Sequence, residues 1–108
     1  MAVVAKRLDV WLIPLDPSLG SELQKTRPCI IVSPDEANRH LNTVVVVPLT
    51  SSPHRFASRV DVDFEGRSGQ AVTDQVRVID KQRLLSRLGH LSPEAGNRVL
   101  GGLREFFS

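Results

Sequence analysis

The stretch that most constrains this chain is Thr43-Val44-Val45-Val46-Val47, an unbroken β-branched run. Branching at Cβ stiffens a side chain against helical backbone and suits a pleated strand. The run has no polar alternation, so it predicts a central strand buried on both faces. Other segments must then supply partners and cover. Leu8 to Leu15, read LDVWLIPL, predicts a first strand, closed by the turn chemistry of Asp16-Pro17-Ser18-Leu19-Gly20. After the polar loop Ser21 to Thr26, Pro28 favours extended backbone at Arg27, and Cys29-Ile30-Ile31-Val32 predicts a second strand. Arg59 to Phe64 alternates charged and apolar residues, the pattern of a strand with one wet face. Glu65 to Gly69 predicts a turn, followed by short extended pieces near Gln70 to Thr73 and Val76 to Ile79.

Two helices interrupt this β pattern. Ser33-Pro34-Asp35-Glu36 combines an N-cap serine, a proline at the first helical position and a glutamate that can return a hydrogen bond to the Ser33 amide, so a short helix is expected over about Pro34 to His40. Ser92 and Pro93 open a last helix, in which Ala95, Val99, Leu100, Leu103, Phe106 and Phe107 make one apolar face. Gly96, Gly101 and Gly102 oppose that helix, each by roughly 1 kcal/mol relative to alanine, so tertiary packing must hold it. The 108 residues suit one domain spanning 1–108, mainly β with short helices. Several short strands joined by Pro- and Gly-containing loops point to a small curled sheet or barrel.

Composition sets outer bounds. Fourteen basic and twelve acidic residues leave a net charge of +2, which permits nucleic-acid binding without arguing for it. Cys29 is the single cysteine, so no intrachain disulfide forms, and the three scattered histidines show no zinc-ligand spacing; no metal or cofactor is expected. Cys29 sits in an apolar run without a neighbouring base and reads as a buried thiol. No apolar run approaches the ~20 residues of a membrane span, and a reducing cytoplasm fits best.

Two residues invite a chemical reading. Arg27, held by Pro28 beside a buried strand, could grip a phosphate bidentately and stabilise charge that develops during transfer, or it could pair with a carboxylate at a strand end. Thr50 follows Pro48-Leu49 where the Val-rich strand emerges into a loop; its hydroxyl could contact a reacting phosphate or cap the turn. Trp11 reads as core or interface, His40 as a helix-end surface residue and His90 as a turn residue. Lys81, Arg83 and Arg87 could contact phosphate or form a solvated face.

The order of short motifs is more specific than any of them alone. Asp9-Val10-Trp11, Asp16-Pro17-Ser18-Leu19-Gly20-Ser21-Glu22, Lys25-Thr26-Arg27-Pro28-Cys29, Val32-Ser33-Pro34, Val47-Pro48-Leu49-Thr50-Ser51, Asp74-Gln75-Val76-Arg77-Val78-Ile79-Asp80 and Leu88-Gly89-His90-Leu91-Ser92 resemble, in sequence and spacing, the successive motifs of MazF/PemK toxins. The resemblance covers nearly the whole chain. It implies an SH3-like β-barrel with a C-terminal helix, a homodimer, a cognate antitoxin, and sequence-selective cutting of single-stranded RNA without a metal. The ribose 2′-hydroxyl would attack the adjacent phosphate, leaving 2′,3′-cyclic phosphate and 5′-hydroxyl ends, which DNA cannot do.

Carried over residue by residue, the resemblance makes Arg27 the stabiliser of phosphate charge and Thr50 the group that positions the phosphate or the attacking hydroxyl. Glu22 and Asp74 are the candidates for the base, with no single side chain as the third possibility; Glu22 could also help orient RNA or be a solvated loop carboxylate, and Asp74 could merely cap a turn. Ser51, His54, Arg55, Gln75 and Arg77 are the candidate RNA contacts; the residues themselves leave His54, with Arg55 and Arg59, either lining an RNA-binding loop after Thr50 or lying in a solvated loop. The chain departs from the PemK-like pattern at Val72 and Ser21, where such members carry an arginine and a histidine, so the MazF-like pairing of Arg27 with Thr50 suits it better. Leu8 stands where a glycine often precedes Asp9-Val10-Trp11. Two other functions fit the same small barrel: a non-hydrolytic protein-binding toxin like the gyrase poison CcdB, and a degenerate relative that binds RNA or antitoxin without cutting.

Overall fold

The Val-rich run becomes the axis of the fold. In the computed structural model, which describes residues 3–108, it lies within β3 (Thr43–Thr50). Two strands precede it, β1 (Asp9–Pro14) and β2 (Thr26–Ile31), and four follow: β4 (Val60–Phe64), β5 (Arg67–Ala71), β6 (Arg77–Asp80) and β7 (Ser86–His90). They form one curled antiparallel sheet in the order β4-β5-β3-β2-β1-β7, with β6 also paired to β3. Val46 lies across from Ile31 of β2 and from Arg77 of β6, so β3 is paired on both edges. Beyond β6, the end of β3 passes to β5, with Leu49 opposite Ala71 and Thr50 opposite Gln70.

Alternation along β3 divides its side chains between two cores. Val47 and Leu49 pack with Val10, Ile30, Val62, Leu91, Ala95 and Val99 beneath the C-terminal helix, α2 (Pro93–Phe106). Val44 and Val46 face the other way, into Ile13, Leu15, Cys29, Ile31 and Ile79. Burial on both faces is thus met by two apolar layers, and the expected mainly-β fold with a C-terminal helix takes the form of a curled antiparallel half-barrel.

Several local expectations are corrected. The first helix, α1 (Asp35–His40), has Pro34 at its N-cap and no side-chain cap bond. Ser33 is buried instead: its hydroxyl donates to Asn38 Oδ1 (2.5 Å) and accepts from the Val45 amide (3.0 Å), so β3 takes the group that a capping box would use. Asp35 accepts from the Arg7 amide at 2.7 Å. In α2 the expected serine cap does form, Ser92 Oγ accepting from the Ala95 amide at 3.2 Å. Phe106 and Phe107, however, are exposed and pack edge-to-face on each other, outside the apolar face that Ala95 and Val99 bury. The turn after β4 is only Glu65-Gly66, both at positive φ, so Arg67 to Gly69 are ladder residues and not turn. His90 ends β7, a strand that pairs with β1 and that its polar residues did not announce.

Two of the three glycines in α2, Gly96 and Gly102, have a packing cause. A Cβ at Gly96 would overlap the Leu8 side chain, and one at Gly102 would meet the Ser58 carbonyl. Leu8 itself holds φ at +73°, a left-handed backbone costing roughly 1–2 kcal/mol for a residue with a Cβ. Its side chain occupies the hollow over Gly96. This coupling predicts a change of sign: Gly96→Ala should destabilise the protein by about 1–2 kcal/mol in urea unfolding. In a Leu8→Gly background the same substitution should stabilise, by up to about 1 kcal/mol, because only the helix-propensity gain remains.

Candidate active site

Register brings the two central candidates together. Cys29 lies across from Pro48 and Ile30 from Val47; beyond this last β2–β3 pair, the same register carried on by two residues leads to Arg27 on β2 and Thr50 on β3. Both line one cleft of about 340 Å³, with Ser51 beside Thr50. Lys25 and Arg67 add cationic heads, Phe64 an apolar wall, and Ser68 and Gly69 complete the side formed by β5. No carboxylate lines this cleft among the described residues, so its field favours an anion.

Backbone anchors Arg27 without consuming its fork. Its Nε donates to the Gln24 carbonyl at 2.8 Å, and among the described residues it makes no ion pair. The strand-end ion pair considered from sequence is therefore not its partner, and the terminal guanidinium nitrogens remain for a ligand. Thr50 is buried, and its oxygen accepts from the Ser52 amide at 3.1 Å. That is the turn-capping role, yet accepting leaves the hydroxyl proton available to donate into the cleft.

The other candidates divide into groups. His54 and Arg55 line a second, more open cleft of about 700 Å³ with Phe56, Arg59, Asp61 and Gln70. Gln70 joins the two spaces, since it faces Thr50 across the ladder while its side-chain amide holds the His54 backbone at both N–H (3.0 Å) and C=O (2.9 Å). Glu22 lines neither cleft; its carboxylate accepts from the Leu19 amide at 2.8 Å within the first loop. Asp74 also lines neither, and is clamped by Arg59 through Nε (2.7 Å) and Nη2 (2.9 Å). The Arg59 hydrogen bonds hold the Asp74 carboxyl below its ordinary range, and Asp74 in turn raises Arg59.

Gln75 and Arg77 support the first loop. Gln75 Oε1 accepts from the Leu23 amide (2.8 Å) and its Nε2 donates to the Ser21 carbonyl (3.2 Å), while Arg77 donates to the Leu15 carbonyl (3.2 Å). Cys29 is fully buried, and that burial pushes its thiol up to about 12, so it is no nucleophile at neutral pH. Trp11 is half-buried in the second core layer with its indole N–H buried and unpartnered. No group of three His, Cys, Asp or Glu side chains has metal-binding geometry among the described residues. Lys25 and Arg67 were not singled out from sequence; for Arg67 the Gly66 hairpin turn was the available clue.

A family profile described as PemK-like, MazF-like toxin of type II toxin–antitoxin system matches residues 6–107. The chain belongs to this toxin family. It is 39% identical over 104 residues to the endoribonuclease PemK of Escherichia coli, covering 91% of this chain and 78% of that one. It is 33% identical over 104 residues to the endoribonuclease EndoA of Bacillus subtilis, covering 90% and 89% of the two chains. The toxin's fold is that of MazF from Deinococcus radiodurans, with a TM-score of 0.86 at 22% identity over 98% of both chains. Its fold is also similar to that of a mycobacterial endoribonuclease solved in complex with its cognate antitoxin, with a TM-score of 0.82 at 24% identity over 95% of this toxin and 94% of that chain.

Proposed function

We propose that the toxin cuts single-stranded RNA in the Arg27–Thr50 cleft by attack of a ribose 2′-hydroxyl on the adjacent phosphate, with no metal taking part. The chain is a type II toxin–antitoxin endoribonuclease of the MazF/PemK type. The observation that supports this site is an arginine with free terminal nitrogens facing a threonine hydroxyl in a cleft with three cations and no lining carboxylate. As the 2′-oxygen bonds to phosphorus and the bond to the 5′-oxygen breaks, negative charge grows on the non-bridging oxygens. Arg27 stabilises that charge by a bidentate contact, and Thr50 donates one hydrogen bond that fixes the phosphate. The products are a 2′,3′-cyclic phosphate and a 5′-hydroxyl.

The 2′-hydroxyl proton passes to water or to a phosphate oxygen, and the leaving oxygen takes its proton from solvent. Glu22 and Asp74 lie outside the cleft, and Asp74 is stabilised as a carboxylate by Arg59, which makes it a poor proton acceptor. Ser51 joins the phosphate contacts, while His54 and Arg55 receive the flanking nucleotide in the second cleft. A cognate antitoxin and a second copy of the chain are the proposed protein partners, and the cytoplasm the proposed compartment. No helix among the described residues is long and apolar enough to cross a membrane.

Thr50→Val keeps the β-branched shape and removes the donor. It should lower kcat about tenfold on mixed-sequence RNA, the equivalent of one ordinary neutral hydrogen bond and less than the loss of a cationic donor. DNA of the same sequence should remain whole. A variant that cuts RNA at the wild-type rate, or a wild type that leaves RNA intact while inhibiting gyrase, would remove Thr50 or the nuclease reading respectively.

A further inference from the structure

The cleft has a support that lies outside it. The turn Thr73–Gln75 precedes β6, and its three consecutive side chains each hold a different segment. Thr73 is fully buried and donates to the Ser58 carbonyl at 2.9 Å; Asp74 clamps Arg59; Gln75 holds the first loop at Leu23 and Ser21. That loop ends at the Gln24 carbonyl, which accepts from Arg27 Nε. Ser18 Oγ adds a bond to the Leu23 carbonyl at 2.9 Å, and the Lys25 amide donates to Asp16 at 3.1 Å, so the backbone on either side of Gln24 has few ways to shift.

We propose that Gln75 is a positioning residue for Arg27, acting through the Leu23–Gln24 backbone and not by touching RNA. The inference rests on the assignment of Arg27 to RNA cutting. A guanidinium fixed by one nitrogen can swing about that bond, and its remaining direction is set by where the Gln24 carbonyl points. A side-chain amide suits the task because it accepts from one backbone group and donates to another at once. Both groups are used, at Leu23 and Ser21, and neither lies in the Arg27–Thr50 cleft. An error on the order of 1 Å at a charge-stabilising group is enough to cost much of its effect.

The test combines kinetics with a measurement on the RNA-free protein. Gln75→Ala should lower kcat about tenfold with KM changed less than about twofold, since ground-state contacts are left in place. In an Arg27→Ala background it should add no further loss, and Gln75→Glu, which keeps the acceptor for the Leu23 amide, should restore most of the rate. In the absence of RNA, proton exchange at Arg27 Nε should quicken in Gln75→Ala and stay slow in Gln75→Glu. A raised KM at unchanged kcat, losses that multiply with those of Arg27→Ala, or unaltered Arg27 exchange would each overturn the proposal. Should the wild type itself fail to cut RNA, the nuclease assignment falls, while Arg27 exchange still reports whether Gln75 holds it.

Discussion

Arg27→Ala should lower kcat on single-stranded RNA by about 10²- to 10³-fold, the range found when one preorganised charge-stabilising donor is removed. The fold should survive. Arg27 is a partly exposed side chain at the mouth of the β2–β3 ladder, bonded only to the Gln24 carbonyl, so its loss opens no core cavity. Far-ultraviolet circular dichroism and the urea midpoint should match the wild type while cutting disappears. Arg27→Lys separates charge from geometry: a lysine restores the positive charge but neither the planar fork nor the Nε donor, and should recover only a small part of the rate. Full activity in the lysine variant would mean that charge alone suffices and that the bidentate contact is not used.

The largest effect on stability is expected at Asp9. Its carboxylate is buried, accepts from the Lys6 amide at 2.9 Å and from His90 Nδ1 at 2.9 Å, and forms an ion pair with Arg87 Nε at 3.2 Å. Burial alone would raise this carboxyl, but the His90 and Lys6 hydrogen bonds and the Arg87 charge outweigh it, and the net shift is downward. Asp9→Ala should therefore cost about 2–3 kcal/mol, because two donors lose their acceptor and Arg87 its ion-pair partner. The thermal midpoint should fall by roughly 10 °C. Asp9 and Asp74 both have folded values below their unfolded ones. Their contribution is fully present above the unfolded carboxylate value of about 3.9 and is lost as pH falls through the lower folded values. The wild type should lose stability on acidification below about pH 4, and Asp9→Ala should lose less over the same interval.

Sequence carried the central strand and the order of motifs because those features are local or collinear. Consecutive β-branched residues leave few options at Thr43–Val47, and Arg27 and Thr50 each stand at a boundary that their own neighbours define. What escaped depended on contacts distant in the chain. Ser33 had the neighbours of a helix cap, but the Val45 amide, twelve residues on, competes for its hydroxyl. Asp74 resembled a free acidic group until Arg59, fifteen residues earlier, closed on it. Strand β7 has little apolar pattern of its own and exists because β1 offers an edge. Arg67 entered the cleft through a two-residue turn that sequence had drawn longer, which moved Arg67 to Gly69 from loop into ladder. The candidate cleft was thus legible from sequence at Arg27 and Thr50 and not at its second wall.

The most direct measurement uses the purified toxin with single-stranded RNA in excess EDTA, the ends of the fragments being identified by mass spectrometry. The account predicts cutting that EDTA does not slow, fragments ending in 2′,3′-cyclic phosphate and 5′-hydroxyl, and no cutting where the nucleotide at the cut carries a 2′-O-methyl group. Fragments ending in 5′-phosphate, or cutting that stops when EDTA is added, would contradict it.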